Sequence, residues 1–360
     1  MDEQQAGRLE GTGARARALL GGGRRSGTLS TESAGATSQA PGDADVALIA
    51  KKLEHHSTLP PETTQAIATE LVDRAKAAVD KLADGATLTQ DDSIALESVM
   101  QVRGRPALRI LQQRLEDLSA YPGSELWQNL LVENETRMLA TAAATGAAIV
   151  SAFDTGNPPW VRGSAWLIAD DRVVTNRHVL MSDDLNLLVK DGDKRKFGAG
   201  ISMAIEFAAD NREPAASISR RVTEVLYISD PQDPVDIAVL RIDAGNATPL
   251  KLAANGASPR NLFVVGHPGL LLTVPDKVRA VFGNPDGRKR VSFGKKLDLT
   301  LRPGEFLYDA STIGGFSGAP VLGIVDGGVV GLHYFGDPEN GNMAITADTL
   351  RAHASSQYLA

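Results

Sequence analysis

Two periods of apolar residues divide this chain. From about residue 45 to 120 the apolar positions recur at helical spacing, most regularly between Pro61 and Gly85. After Gly146 the apolar runs are short and are separated by turn residues about every 8 to 12 positions, which is typical of antiparallel β-sheets. We therefore predict a small α-helical domain over residues 45–120, a linker over 121–146 that packs on the next domain, and a mainly β domain over 147–360.

Composition limits the partners and the location that the chain can have. Residues 1–44 are rich in glycine, alanine, serine, threonine and arginine, so they bury little surface and are predicted to be disordered. The chain is 42% hydrophobic with a net charge of −7, which supports a large core and gives no general case for nucleic-acid binding. It contains no cysteine, starts with polar residues and has no stretch of about 20 apolar residues. We expect a cytoplasmic protein without a signal peptide or membrane span.

A serine between glycines is the strongest candidate for a reactive group. Ser317 lies in Gly314-Gly315-Phe316-Ser317-Gly318, directly before an apolar strand. Glycines let a substrate approach closely, and they let the amides of Gly315 and Ser317 point at one position, where an oxyanion would form. A nucleophilic serine also needs a base, and that base needs a carboxylate to orient it. His178 follows one apolar strand and Asp236 precedes another, so the three candidates occur in the order His, Asp, Ser.

Three motifs in this order resemble those of the chymotrypsin-like (trypsin-like) serine peptidases. They are Thr-Asn-Arg-His-Val around His178, Asp-Ile-Ala-Val-Leu from Asp236, and Gly-Phe-Ser-Gly-Ala-Pro around Ser317. The resemblance implies a double antiparallel β-barrel with these residues in the cleft between the barrels. It also implies a serine endopeptidase that acts on proteins or peptides through an acyl-enzyme. We expect neither a cofactor nor a metal ion.

Within that family the chain is most similar to the bacterial V8-like branch. The likeness rests on Ser311-Thr312-Ile313-Gly314-Gly315 before the serine and Gly331-Leu332-His333 after it. In glutamate-specific members a threonine at the place of Thr312 and a histidine at the place of His333 receive the acidic side chain, so the resemblance implies cleavage after glutamate. The strand from Tyr334 through Gly336 is expected to pair with the substrate chain. The alternative is that His333 is a hydrogen-bonded core histidine and that the pocket takes apolar side chains.

Three features depart from the family pattern. Phe316 precedes the serine where trypsin-type zymogens keep an aspartate, so activation through a salt bridge to a newly cut N-terminus is not available. Phe335 stands where V8-like enzymes tend to have glycine, which predicts a narrower pocket entrance. A helical domain precedes the barrels in place of a secretion signal. We expect this domain to regulate activity, through a partner protein or through cleavage in the linker.

Other interpretations of the same residues stay open. His267, in Gly266-His267-Pro268-Gly269, competes with His178 for the role of base. His55 and His56 are metal-ligand types, but neighbouring residues of a helix point to different faces. The whole chain could be a catalytically silent peptidase-fold scaffold that recruits partners through the helical domain. It could also be a protease-chaperone of the high-temperature-requirement type, although that layout usually adds a peptide-binding domain after the barrels.

Overall fold

The computed structural model describes residues 40–56, 59–111, 113–118, 125–153, 158–182, 185–192, 194–208, 218–269, 288–298, 302–312, 314–337 and 341–359. The predicted disordered tail lies outside this part except for residues 40–44. The prediction about the side chains of His55 and His56 also falls outside it. Within the described part, no helix is long and apolar enough to cross a membrane.

Three helices come first in the described chain. They are α1 (Asp43–His56), α2 (Pro61–Ala83) and α3 (Gln90–Val102). Helix α2 begins with proline in its first turn, where the missing amide hydrogen has no helical partner to lose. Its predicted apolar stripe packs into a core shared with α1 and α3, and this core continues into the second β-barrel.

Helix α3 begins with a reciprocal cap. The side chain of Thr89 accepts a hydrogen bond from the amide of Asp92, and the Asp92 carboxylate accepts one from the amide of Thr89. Lys81 of α2 donates to the same carboxylate at 2.6 Å. Burial alone would raise the pKa of Asp92, but these hydrogen bonds and the charge of Lys81 lower it to about 2. This carboxylate therefore joins α2 to α3.

Replacing Asp92 with asparagine should destabilise the helical region by about 2 kcal/mol near neutral pH. The carboxyl pKa is lower in the folded protein than in an unfolded chain, where it lies near ~3.9. Its contribution is therefore complete above about pH 4 and disappears as the pH falls towards 2. Urea unfolding followed by circular dichroism, near neutral pH and near pH 2, measures this change in the free energy of unfolding. Asp91→Asn is the control, since its side chain is 57% exposed. An equal loss at both pH values would contradict the assignment.

The segment after α3 differs from the helical pattern expected there. Residues 107–111 form strand β1 (Ala107–Leu111), which turns into the short strand β2 (Arg114–Leu115). Strand β1 pairs antiparallel with a strand of the second barrel, with Ala107 opposite Ser292. A run of five residues with a single charged member, Arg109, fits a helix or a strand by periodicity alone, and here the open edge of a sheet selects the strand.

Much of the predicted linker is a helix, α4 (Glu125–Ala143). The buried residues Trp127, Met138 and Ala142 pack it on the β-structure. The Trp127 ring lies 5.6 Å from that of Phe293, measured between centroids.

The strands of the first barrel region in chain order are β3 (Thr145–Ala152), β4 (Trp160–Ala169), β5 (Arg172–Thr175), β6 (Met181–Ser182), β7 (Leu185–Asn186), β8 (Leu188–Asp191), β9 (Lys194–Phe197), β10 (Ile201–Glu206), β11 (Ser219–Ile228) and β12 (Ala238–Ile242). Six of them close the barrel in the order β10-β11-β12-β5-β4-β3, all antiparallel. Helix α5 (Arg177–Leu180) follows β5, and β6-β7 and β8-β9 form two separate ribbons.

The second barrel belongs to an eight-stranded sheet with the order β15-β18-β17-β16-β13-β14-β1-β2. A single bridge between Lys296 and Tyr308 connects the end of β14 to β15, which curls six of these strands into a barrel and leaves β1 and β2 as an extension. Helix α6 (Ala347–Ala352) and a 3₁₀ helix (Ala354–Tyr358) follow. The strands are β13 (Asn261–Gly266), β14 (Arg290–Lys295), β15 (Glu305–Tyr308), β16 (Pro320–Gly323), β17 (Val329–Asp337) and β18 (Gly341–Thr346).

Candidate active site

His178 and Asp236 meet because the strands next to them are paired. Strand β5 runs antiparallel to β12, with Thr175 opposite Ala238, so the residues that follow β5 lie beside those that precede β12. His178 is in the short helix α5, and its Nδ1 lies 2.5 Å from Oδ2 of Asp236. The other carboxylate oxygen accepts the backbone amide of His178 at 3.1 Å. Buried Asn176 donates to the carbonyl of Asp236 at 2.8 Å and fixes the backbone of this pair.

The surroundings of Asp236 keep it ionised. Burial would raise its pKa, but the charge of His178, their hydrogen bond and the charge of Arg177 together hold the pKa below its ordinary value. The side chain of Asp236 is 13% exposed and that of His178 is 34% exposed. The carboxylate is thus shielded by protein while the imidazole reaches the cleft. A carboxylate on Nδ1 favours a hydrogen there and leaves Nε2 able to accept a proton.

Ser317 lies on a loop that presses against the first barrel. Gly315 and Gly318 have φ angles of +103° and +87°, a region that residues with a side chain rarely adopt. A Cβ at Gly318 would collide with the carbonyl of Ser164 and the hydroxyl of Thr175, both in the first barrel. The carbonyl of Ser317 accepts the amide of Ser164 at 2.8 Å. These glycines therefore bring the loop into close contact with strand β4.

The serine and the histidine share one neighbour in the cleft. A Cβ at Gly163 would lie 2.6 Å from Cγ2 of Val179, the residue after His178, and 2.8 Å from the carbonyl oxygen of Ser317. Only a residue without a side chain fits between them. The structure thus joins His178 and Asp236 directly, and it brings the backbone of Ser317 and the residue after His178 against the same glycine. Among the described residues, the hydroxyl of Ser317 has no hydrogen-bond partner, and His178 is not bonded to it.

The backbone around Ser317 leaves two donors available. The amides of Gly315 and Ser317 donate to no acceptor in the described part of the chain. The carbonyl of Gly315 accepts the hydroxyl of Ser164 at 2.8 Å, and the carbonyl of Gly314 accepts the amide of Gly269 at 2.7 Å. Gly269 holds the carbonyl of Gly314, and Ser164 holds the carbonyl of Gly315. These bonds fix the orientation of the two peptide groups that begin at these carbonyls.

Sequence reasoning missed the role of Ser164. Its hydroxyl donates to the carbonyl of Gly315 and accepts the amide of His267 at 3.0 Å, so it links the first barrel, the Ser317 loop and the segment after β13. His267 is buried and contributes a backbone amide behind this loop, whereas His178 contacts a carboxylate. Nothing in Gly163-Ser164-Ala165 distinguishes this serine from one in an ordinary strand.

The predicted specificity residues are buried and engaged with protein. The hydroxyl of Thr312 donates to Oδ1 of Asn342 at 2.8 Å, and Nδ2 of Asn342 donates to the carbonyl of Ala310 at 2.6 Å. Nδ1 of His333 lies 2.8 Å from the hydroxyl of Tyr308. Asn342 and Tyr308 had no signal in the sequence, because both come from neighbouring strands. They hydrogen-bond the two predicted specificity residues, Thr312 and His333.

Strand β17 changes partners beside the Ser317 loop. The carbonyl of His333 accepts the amide of Gly318, which is the last bond to the serine side of the sheet. From Tyr334 through Gly336, within the described residues, the strand pairs with β18 only. Burial, with the nearby Glu305, raises the pKa of Tyr334, whose ring stacks on exposed Phe335. The edge beside Ser317 is therefore open.

Comparison with known proteins agrees with this architecture. Residues 163–332, a little under half of the chain, match the family model described as trypsin-like peptidase domain. This match confirms the predicted trypsin-like fold and the prediction of a serine protease. No match was found among the curated proteins. The V8-like branch stays a prediction.

Solved structures of serine proteases resemble the chain loosely. The Rv3671c protease from M. tuberculosis, in its active form, is 21% identical, with a TM-score of 0.37 over 62% of this chain and 83% of its own. Neuropsin, a serine protease expressed in the limbic system of mouse brain, is 15% identical, with a TM-score of 0.39 over 61% and 96%. With such low scores, neither structure bears on the substrate or the control of this chain.

Proposed function

We propose that this protein is a serine endopeptidase that uses Ser317, His178 and Asp236 as a catalytic triad. The observation that carries the proposal is the 2.5 Å contact between Nδ1 of His178 and Oδ2 of Asp236, in the cleft against which the Ser317 loop is pressed. Oγ of Ser317 attacks the scissile carbonyl carbon while Nε2 of His178 takes the hydroxyl proton. The same nitrogen returns that proton to the leaving amine, and an acyl-enzyme remains.

Water then completes the cycle. His178 removes a proton from the water as it attacks the acyl carbon, and the proton passes to Oγ of Ser317 as the acid product leaves. Asp236 stabilises the imidazolium in both halves of the reaction without taking its proton. The amides of Gly315 and Ser317 donate to the oxyanion, and the available state of both supports this role.

The substrate chain is proposed to add to the open edge of β17. An extended peptide gains main-chain hydrogen bonds from such an edge, here from Tyr334 through Gly336. The residue before the cut would then enter the pocket that contains Thr312 and His333. Phe335 is exposed beside this edge and would contact the substrate or narrow the entrance.

We further propose a preference for glutamate before the cut, as in the V8-like branch. Thr312, His333 and Asn342 of this pocket all carry hydrogen-bond donors. These donors would replace the water that a carboxylate loses when it enters the pocket. Thr312 would have to give up its bond to Asn342 in order to donate to that carboxylate. The bond between His333 and Tyr308 equally suits a core histidine, which is the apolar alternative.

A peptide library with varied residues tests the activity and the preference together. Mass spectrometry of the products from the full-length protein should show cuts after glutamate, and the Ser317→Ala variant should show none. Cleavage after phenylalanine or leucine but not after glutamate would remove the acidic preference and keep the peptidase. An uncut library would favour a silent scaffold that recruits partners through its helices.

Regulation by the helical region is also proposed. Helices α1 to α3 share a continuous core with the second barrel, which supports communication between the two parts. The partner would be a protein that binds these helices.

A further inference from the structure

Arg105 connects the end of the helical region to the residues behind the nucleophile loop. Its Nη2 lies 2.7 Å from Oδ2 of Asp309, and the two side chains are only 11% and 4% exposed. The other oxygen of Asp309 accepts the amide of Lys295 at 2.6 Å. Asp309 directly follows the last residue of β15 and precedes the segment 310–312, which contains Thr312 of the proposed pocket.

The backbone of Arg105 makes a second connection to the same segment. Its carbonyl accepts the hydroxyl of fully buried Ser311 at 2.8 Å. Residues 309 and 311 are thus held by one residue that lies about two hundred positions earlier in the chain, once through its side chain and once through its carbonyl. We call residues 309–312 the pocket wall.

Arg105 is itself fixed from three directions. Its amide donates to the carbonyl of Met100 in α3 at 3.2 Å, and β1 joins the barrel two residues later. Trp127 of α4 donates from its ring nitrogen to the carbonyl of Gly104 at 2.8 Å, and the Arg105 guanidinium lies 5.8 Å from the centroid of that ring. The residue therefore transmits the position of the helices to the pocket wall.

A buried ion pair of this kind is sensitive to the loss of either member. Removing one charge leaves the other without compensation in a medium of low polarity. Phe316, beside the nucleophile, is fully buried and packs on Gly266, so it supplies no charge that could hold the loop from behind. Asn342 and the backbone of Lys295 also bond residues of the pocket wall, and Arg105 is the charged side chain that pairs with its carboxylate.

We propose that Arg105 is a positioning residue for the pocket wall, and that it couples the helical region to substrate binding. The part that concerns substrate rests on the proposed function, because it takes residues 309–312 as one side of the substrate pocket. The coupling has a defined route: helix α3, Arg105, Asp309 and Ser311, then Thr312.

Hydrogen exchange tests the positioning role without any need for activity. In full-length Arg105→Met, amide exchange in peptides that cover residues 305–312 should become about tenfold faster or more, because the buried partner is left uncompensated. Arg109→Met is the matched control. It removes an ion pair four residues further along the chain, in β1, whose partner is Glu116, the residue directly after β2. Unchanged exchange over 305–312 in Arg105→Met would overturn the proposal.

Kinetics test the coupling to substrate. We expect Arg105→Met to raise KM for a peptide substrate about tenfold or more, with a smaller change in kcat. Labelling by a small fluorophosphonate, which needs only the serine, base and oxyanion donors, should stay within about threefold. Arg105→Lys can still reach Asp309 as a cation, so its KM should lie between those of Arg105→Met and the wild type. The KM of Arg109→Met should equal that of the wild type.

The outcomes separate this proposal from the peptidase assignment. In Arg105→Met, the rate of labelling and kcat could fall by the same factor by which KM rises. That result would indicate general damage and contradict a role at the pocket wall. A wild-type protein that neither labels nor cleaves would end the proposed function, while the exchange comparison would still decide whether Arg105 holds residues 309–312. If Arg105→Met does not fold, the nearly isosteric Asp309→Asn breaks the same ion pair and gives the same readouts.

Discussion

Replacing Ser317 with alanine is expected to lower kcat for peptide hydrolysis by roughly 10⁶-fold. The variant keeps the proposed binding edge of β17 and the proposed oxyanion donors, but it lacks the hydroxyl with which the acyl-enzyme would form. KM should change little, because Oγ of Ser317 makes no hydrogen bond to other described residues in the free protein. Initial rates at several concentrations of a peptide taken from the library separate the two constants.

A fluorophosphonate provides the complementary measurement. The wild-type protein should carry the label on the peptide that contains Ser317, and the alanine variant should carry none. Ser258→Ala is a suitable control, since this exposed serine bonds Lys296 on the outside of the second barrel. Turnover in Ser317→Ala within tenfold of the wild type would end the assignment of the nucleophile.

Asp236→Asn should lower kcat about 10⁴-fold. The two side chains have nearly the same shape, so the loss has a chemical cause. An amide can donate its own hydrogen to Nδ1 of His178, which moves the imidazole hydrogen to Nε2, so that Nε2 can no longer accept the proton of the proposed nucleophile. It also cannot stabilise an imidazolium as a carboxylate does. Steady-state kinetics, with circular dichroism to verify folding, measure the effect.

The neighbouring Asp233 offers a control for this variant. It lies in the loop that leads to Asp236, and its carboxylate is 2.9 Å from Nε2 of His353. Asp233→Asn should cost less than about tenfold, since it loosens the loop without changing the tautomer of His178. Similar losses for both aspartates would show that the effect comes from the loop, and Asp236 would then have no special role.

The sequence predicted the catalytic candidates because each of them lies in a short local pattern. His178 follows a short apolar strand and Asp236 precedes another, and the glycines around Ser317 indicate an unusual loop. These signals depend on the backbone preferences of neighbouring residues, which a single sequence displays directly. The change from helical to strand periodicity near Gly146 similarly predicted the order of the two structural classes.

The residues that support the site had no such signal. Ser164, Asn342 and Tyr308 act through partners on distant segments of the chain, and their roles follow from how these segments pack. The run Ala107–Leu111 fits either secondary structure locally, and the edge of β14 determined that it is a strand. Arg105 and Asp309 are 204 positions apart, so no local pattern connects them.

The amino-acid sequence alone therefore determined the class of fold and the chemical types available to the site, because both depend on local periodicity and on residue identity. Only the tertiary structure decided which buried groups meet, since a contact between distant segments is selected by the packing of the whole core. For this protein, that packing brought the end of a helical region to the wall of the proposed substrate pocket.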